Sequence, residues 1–255
     1  MRVSVVTVVK NRAEALAATF ASVMEQTHGD VEFVVVDGAS TDGTVAWLEA
    51  HARLSGGRLR WISEPDSGIY NAMNKGLAMA TGQAVGFLGA GDTFFDSRSL
   101  RVIAETLEEA DVDAVYGDLV FVRESNPGRV CRSWRGSQFV PGIFRRGWQP
   151  AHPTFFVRRE CFEQHGGFDE ALEISADFDI MYRMLEKCRI SNRYIPRTLV
   201  RMLAGGTSNA SLRNIFVAHR NIRRSFCKYG DTAPLLYSVR RLLPKVLNTI
   251  ESRFS

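Results

Sequence analysis

Long apolar runs are missing from this 255-residue chain. The apolar opening VSVVTVV (3–9) ends at Lys10. That is shorter than a signal-peptide core and far below the roughly 18 residues a membrane span needs. A cytoplasmic protein is expected, free or held at the inner face of the cytoplasmic membrane by its surface. Closely spaced cysteines are missing too. Cys131, Cys161, Cys188 and Cys227 lie 30, 27 and 39 positions apart, which excludes the tight spacing of a zinc site or a redox motif and suits reduced thiols. No glycine occurs in VVKNRAEA after the first apolar stretch, and GAGDTF further on lacks the third glycine of a dinucleotide fingerprint. The lysine motif of phosphate loops is also absent, and no internal repeat or low-complexity segment interrupts the chain.

What is present begins with an uneven distribution of charge. The whole chain carries +4, yet residues 212–255 hold nine Lys/Arg against two acids, a net of +7 that leaves −3 for the remainder. A basic tail on a slightly acidic body suits an anionic surface, lipid headgroups or nucleic acid. Nucleic acid is not expected, because no recognised binding module accompanies the charge. Within the tail, Ile215, Phe216, Ile222 and Phe226 are set against Arg220, Arg223, Arg224 and Lys228. This composition fits an interfacial amphipathic helix or a helix packed on the body with a solvated basic face.

The first hundred residues alternate between two hydrophobic periods. VSVVTVV and VEFVVVD (31–37) are β-branched runs, as in strands covered on both faces. RLRWIS and QAVGFLG continue the series. Between the strands, AEALAATFASVMEQ, STDGTVAWLEAHA and GIYNAMNKGLAMAT have helical spacing, and DSRSLRVIAETLEEA follows as a further helix. Strand and helix repeating with short connections predict βαβ units on a mostly parallel sheet. Residues 123–147 have no sustained period and read as a flexible loop. ADFDIMYRMLEKC places Ile180, Met184 and Cys188 on one helical stripe, and two helices are expected in the tail, the second interrupted by Pro244.

Open parallel sheets bind ligands at the carboxyl ends of their strands. Asp37 ends the second strand, Asp66 follows the third and Asp92 the fourth, so three acids are expected along one edge. Acids at strand ends without a glycine cradle suit a nucleotide whose diphosphate is neutralised by a divalent metal.

At this point SVVTVVKNR, VVVDGASTDGT, EPDSGIYNAMNKGLAMATG, FLGAGDTFF, GGFDE and ADFDIMYRM together resemble the family-2 glycosyltransferases, over residues 2–208. The EPDSGIYNAMNKG version is similar to the bacterial subgroup that builds exopolysaccharide and lipopolysaccharide. The resemblance implies a GT-A-type, Rossmann-like α/β domain with a mixed, mostly parallel sheet over 1–210, and the basic helical extension is placed at 211–255. It implies inverting transfer of a sugar from a nucleotide-diphosphate donor to a hydroxyl of a glycan or lipid-linked acceptor. The alternative is a non-catalytic nucleotide-sugar or glycan-binding module that kept the fold.

The resemblance also assigns roles. Asp92 matches the last acid of the metal motif and is expected to ligate Mg²⁺ or Mn²⁺. Asp177 matches the general base at the start of a helix, with Asp179 the weaker candidate. Thr7, Asn11, Asp37 and Asp66 are placed in the nucleotide pocket, with Gly38 where relatives carry a second acid, the one expected to reach the base. Asn71, Asn74 and Lys75 share a helix face that can reach sugar or phosphate. Gly91, with Gly89, lets backbone pass close to the donor. His152 is an acceptor or diphosphate contact. Trp148, like Trp134, either stacks on a sugar or anchors the core. Gly205, Gly206, Thr207 and Ser208 resemble a closing loop.

Overall fold

A computed structural model describes residues 1–205, 211–234 and 237. The β-branched runs form strands because their branched side chains restrict χ1 and pack on a pleated surface. Strands β1 (Val3–Val9), β2 (Val31–Asp37), β3 (Leu59–Ser63) and β4 (Ala84–Phe87) are parallel, in the spatial order β3-β2-β1-β4. Helices α1 (Ala13–Met24), α2 (Thr44–Leu54) and α3 (Ile69–Met79) connect them. Every residue of β2 is buried, as a strand covered on both faces requires.

The sheet then continues through β8, β6 and β9 to β5. Strand β8 (Phe156–Arg158) is antiparallel to both β4 and β6 (Ala114–Arg123), and β9 (Asn192–Leu203) is parallel to β6. Two reversals restore direction, so β1, β2, β3, β4, β6 and β9 all end at the same edge. Strand β5 (Thr93–Phe94) pairs with β9, and α4 (Ser99–Glu109) follows it.

Two cores occupy the two faces, and the strands feed them alternately. Val3, Val5, Phe33, Val35, Val115 and Leu119 pack on one side with Leu16, Leu48, Leu100 and Ile103 of the helices. Val6, Val34, Val85, Phe87, Ala114 and Tyr116 face the other side, against α5 (Arg159–His165), α6 (Ala176–Met181) and α7 (Leu212–Lys228).

The structure differs from the sequence reading in two places. Residues 123–147 contain β7 (Asn126–Trp134), which forms a hairpin with β6, and a short 3-10 turn at Ile143–Arg146. Among the described residues strand β7 pairs only with β6, and it is largely exposed, so it carries no apolar period to read. Helix α6 passes into a π-helical turn at Tyr182–Lys187. Ile180 and Met184 are buried while Cys188 is exposed, because a π turn shifts the register of the stripe. In the tail, Ile222 and Phe226 are fully buried, and Phe226 meets Phe178 and Tyr182 at ring-centroid distances of 5.6 and 4.8 Å. Phe216 is 70% exposed. The expected second tail helix, and Gly206, Thr207 and Ser208, lie outside the described residues.

Because Phe226 fills the contact between α7 and α6, Phe226→Ala is expected to lower stability by about 3–5 kcal/mol. Urea unfolding followed by circular dichroism measures this, and a loss below about 1 kcal/mol would show that α7 does not share the core.

Candidate active site

The common strand direction brings distant residues to one cleft of about 530 Å³. Lys10 and Arg12 follow β1, Gly89, Ala90 and Asp92 follow β4, Glu124 follows β6, and Leu203, Ala204 and Gly205 close β9. Strand β8 runs the other way, so the residues entering it, His152 and Pro153, reach the same cleft. Tyr70 and Met73 of α3 and Ile174 and Asp177 around the start of α6 complete the wall.

Asp92 is held by the turn that the two glycines make. Its Oδ2 accepts the Gly89 N–H at 3.2 Å, its Oδ1 accepts the Leu203 N–H at 3.0 Å, and its own N–H donates to the Gly89 carbonyl. Gly91 has φ +101°, and a Cβ there would lie 2.4 Å from Leu203 Cδ1. The Gly91 N–H donates to Thr19 Oγ1. Burial pushes the Asp92 carboxyl up to about 6 against the opposing hydrogen bonds from Leu203 and Gly89. Among the described residues no group of three or more His, Cys, Asp or Glu converges to hold an ion unaided. Asp92 nevertheless keeps lone pairs beyond its two backbone bonds. One carboxylate facing a cleft fits a hard divalent cation whose other ligands are phosphate oxygens and water.

Asp177 lies in the first turn of α6, where a carboxylate is favoured by the helix dipole. Ser175, the residue before the helix, has φ +71°, a left-handed conformation. Two neighbours feel Asp177. Burial pushes the Tyr70 hydroxyl up, and the Asp177 carboxylate adds to it. Burial also lowers His152, with Asp177 opposing, so the ring is neutral at pH 7. His152 stacks on Phe87 at 5.9 Å and meets Phe168 edge-on. Asp179 points away from the cleft. It is fully buried, accepts from the Tyr229 hydroxyl at 3.1 Å and lies 3.8 Å from Lys228 of α7.

The remaining expected site residues fall into two groups. Thr7, Asn11, Asp37 and Asp66 lie around the ends of β1, β2 and β3. Thr7 Oγ1 donates to the Leu88 carbonyl, and Asn11 Oδ1 accepts the Thr41 N–H at 2.7 Å, with Asn11 at φ +52°. Asp37 is fully buried. Its Oδ2 accepts from Ser40 N–H and from the Ser63 hydroxyl, while its Oδ1 has no partner. Asn71, Asn74, Lys75 and Trp148 are instead engaged in framework contacts. Asn71 and Asn74 donate to Glu170 at 2.9 and 2.7 Å, and Asn74 exchanges two further bonds with the backbone of Phe168. Lys75 pairs with Glu64 and bonds to the Pro65 carbonyl. Trp148 packs edge-on against Phe144 and Tyr116 in the second core.

The sequence reading passed over Lys10, Arg12, Tyr70 and Glu124. The signal for the first two was the pair of cations immediately after β1. Arg12 pairs with Glu124 at 3.3 Å across the mouth of the cleft, with both side chains largely in solvent.

A cleft at the carboxyl edge of a mostly parallel sheet, walled by carboxylates and cations, defines a GT-A-like α/β protein. The chain belongs to glycosyl transferase family 2, whose profile matches residues 4–166. It is 35% identical over 187 residues to a PGL/p-HBAD biosynthesis glycosyltransferase of Mycobacterium bovis, covering 72% of this chain and 70% of that one. It is 29% identical over 219 residues to the O-antigen biosynthesis protein RfbC of Myxococcus xanthus, covering 82% of this chain and 16% of that one. Two solved structures share the fold. Staphylococcus aureus TarS 1–349 with UDP-GlcNAc has a TM-score of 0.68 at 19% identity, covering 99% of this chain and 73% of that one. The mannosyltransferase PcManGT of Pyrobaculum calidifontis with GDP-Man and Mn²⁺ has 0.67 at 19%, covering 98% and 73%. The chain is a glycosyltransferase.

Because Gly91 combines a left-handed backbone with the close approach to Leu203, Gly91→Ala is expected to cost about 1–3 kcal/mol of stability. A fall in thermal midpoint of several degrees reports it, and an unchanged midpoint would show that the Asp92 turn tolerates a side chain.

Proposed function

We propose that this chain transfers a sugar, with inversion, from a nucleotide diphosphate to a hydroxyl of a glycan or lipid-linked acceptor in cell-surface polysaccharide synthesis. The observation that carries the reading is that Asp92 and Asp177, far apart in sequence, line one cleft. Asp177 takes the proton from the acceptor hydroxyl as its oxygen attacks the anomeric carbon from the face opposite the diphosphate. The bond from that carbon to the phosphate oxygen breaks, and the configuration inverts. Tyr70, its hydroxyl neutral beside Asp177, and neutral His152 offer polar contacts to the reacting sugars or the diphosphate. Asp92 would hold a divalent ion, Mg²⁺ or Mn²⁺, and such an ion would supply charge neutralisation for the diphosphate. Lys10 and Arg12 add positive charge on the same wall. Asp37, Asp66, Thr7 and Asn11 form the nucleoside side. Asn71, Asn74 and Lys75 act one step back, by tying α3 to the Phe168–Glu170 turn and to the Glu64–Pro65 loop. The names of the relatives in O-antigen and PGL/p-HBAD biosynthesis support the acceptor class.

Asp177→Asn is expected to lower turnover by about 10²–10⁴-fold while leaving donor binding unchanged. Rapid-quench assays beside calorimetric titration of donor separate the two, and near wild-type turnover would remove Asp177 as the base. Asp92→Ala should abolish the dependence of donor binding on Mn²⁺, and an unaltered Mn²⁺ titration would take Asp92 out of the metal site.

The extension from residue 211 onward would set this cleft beside a membrane. Helix α7 leaves Arg213, Phe216, Arg220, Arg223 and Arg224 exposed on its outer face, while Val217, Ile222 and Phe226 bind the body. Basic side chains near an anionic leaflet contribute about 1 kcal/mol each. Sedimentation with phosphatidylglycerol vesicles, compared with phosphatidylcholine, is expected to retain the chain in a salt-sensitive manner. The triple charge reversal R220E/R223E/R224E should release it, and equal retention of that variant would exclude α7 as the contact.

A further inference from the structure

Asn221 is a polar residue on the buried face by which α7 meets the body. It is 3% exposed, next to the fully buried Ile222, and its side-chain amide donates to the Ile174 carbonyl at 2.9 Å. The sense of that bond is fixed, since a carbonyl can only accept and only the NH2 half of the amide can donate. No backbone N–H among the described residues reaches the same carbonyl. Asn221 has no room to turn toward water, so breaking the bond would leave a buried amide unpaired.

The peptide held in this way is where the wall of the cleft turns into α6. Glu173 and Ile174 line the cleft. Ser175 has φ +71°, and its carbonyl accepts the Asp179 N–H at 3.2 Å, at the opening of the helix that bears Asp177. A left-handed conformation at a residue other than glycine persists where its surroundings impose it. The plane of the Ile174–Ser175 peptide sets one side of the Ser175 φ rotation, and Asp177 stands two residues beyond.

We propose that Asn221 is a positioning residue for the transfer reaction, holding the Ile174–Ser175 peptide so that the Asp177 carboxylate meets the acceptor hydroxyl. The inference rests on the reading of Asp177 as the base, and it extends the working site to α7, beyond the residues 4–166 that the family profile matches.

The other contacts of α7 frame this one. The Tyr229 hydroxyl and Lys228 reach the fully buried Asp179, Lys228 pairs with Asp169 at the start of the segment that leads to Ile174, and Phe226 packs on Phe178. These contacts anchor α6 as a body. Asn221 acts on the backbone between that body and the cleft wall, so its loss should change the orientation of Asp177 without removing the core beneath it.

The test compares Asn221→Leu, which keeps the volume and loses the amide, with Asn221→Ser, whose hydroxyl is too short to reach Ile174 and whose smaller size spares the packing. Nucleotide release from UDP-, dTDP- and GDP-sugars by the full chain with Mn²⁺ is followed, water standing in for the acceptor, and the donor that the wild type uses fastest is carried forward. Both variants are expected to lower kcat by about 10–100-fold, the scale of a small misplacement of a reacting group, while calorimetric donor Kd stays within about twofold. In the Asp177→Asn background, Asn221→Leu should slow the residual rate no further, because the group it positions is gone. Hydrogen exchange followed by mass spectrometry should quicken by about tenfold or more in peptides over residues 172–179 and stay unchanged over β1 to β4. Wild-type kcat in either folded variant, donor Kd weakened by the same factor as kcat, equal slowing by Asn221→Leu with and without the Asp177 carboxylate, or unchanged exchange over 172–179 overturns the assignment. A near wild-type rate in Asp177→Asn alone is a different failure, which removes the base and the inference with it.

Discussion

The shared direction of six strands is the constraint on which the rest of this molecule depends. A parallel sheet sends every carboxyl end to one edge, and there the backbone leaves the ladder with unpaired groups and loops free to carry polar side chains. Strand β8, inserted antiparallel between β4 and β6, could have broken this arrangement. Because it reverses direction twice, β6 and β9 rejoin the common orientation. Glu124, Leu203 and the Asp92 turn consequently face Lys10 and Arg12, and the chain segment entering β8 delivers His152 to the same place.

Polar contacts between its loops help to fix that edge in position. Asp92 joins the turn after β4 to the end of β9 through the Leu203 N–H, and Glu170, gripped by Asn71 and Asn74, joins α3 to the turn before α6. On the far side, Lys228 pairs with Asp169 at 2.7 Å, so α7 holds the same turn from outside. The part-buried Asp92–Leu203 bond orients its partners, whereas the solvent-exposed Arg12–Glu124 pair contributes little and can open at small cost. The walls are thus preorganised while the mouth stays adaptable, an arrangement suited to an enzyme that admits a large donor and then an acceptor.

The extension has two faces with different physical roles. Ile222 and Phe226 are fully buried, and Phe226 meets Phe178 of α6 and Tyr182 of the π turn after it, so α7 supports the helix that carries Asp177 from behind. Its arginines stay in water, where their charge is available to a surface. The inward face explains why apolar residues in the tail coexist with a strongly basic composition, and Phe216 is left as an exposed large apolar group of α7.

By itself the sequence determined β1 to β4 and α1 to α4 in order, though not the two-residue β5, because β-branched runs and helical spacing are local signals that survive without neighbours. It also placed Asp37, Asp66, Asp92 and Asp177 at strand or helix ends, since the chain position of an acid relative to a period is readable. Strand β7 was not legible, because an exposed edge strand paired with β6 carries no apolar alternation. Nor was the employment of Asn71, Asn74 and Trp148 in framework contacts, since the same polar or aromatic group can face a ligand or a neighbouring loop. Tertiary structure alone decided that Asp179 turns toward α7 and that Tyr70 joins Asp177. Each of these is a contact between segments whose separation along the chain says nothing of their distance in space, and burial and hydrogen bonding act on distance.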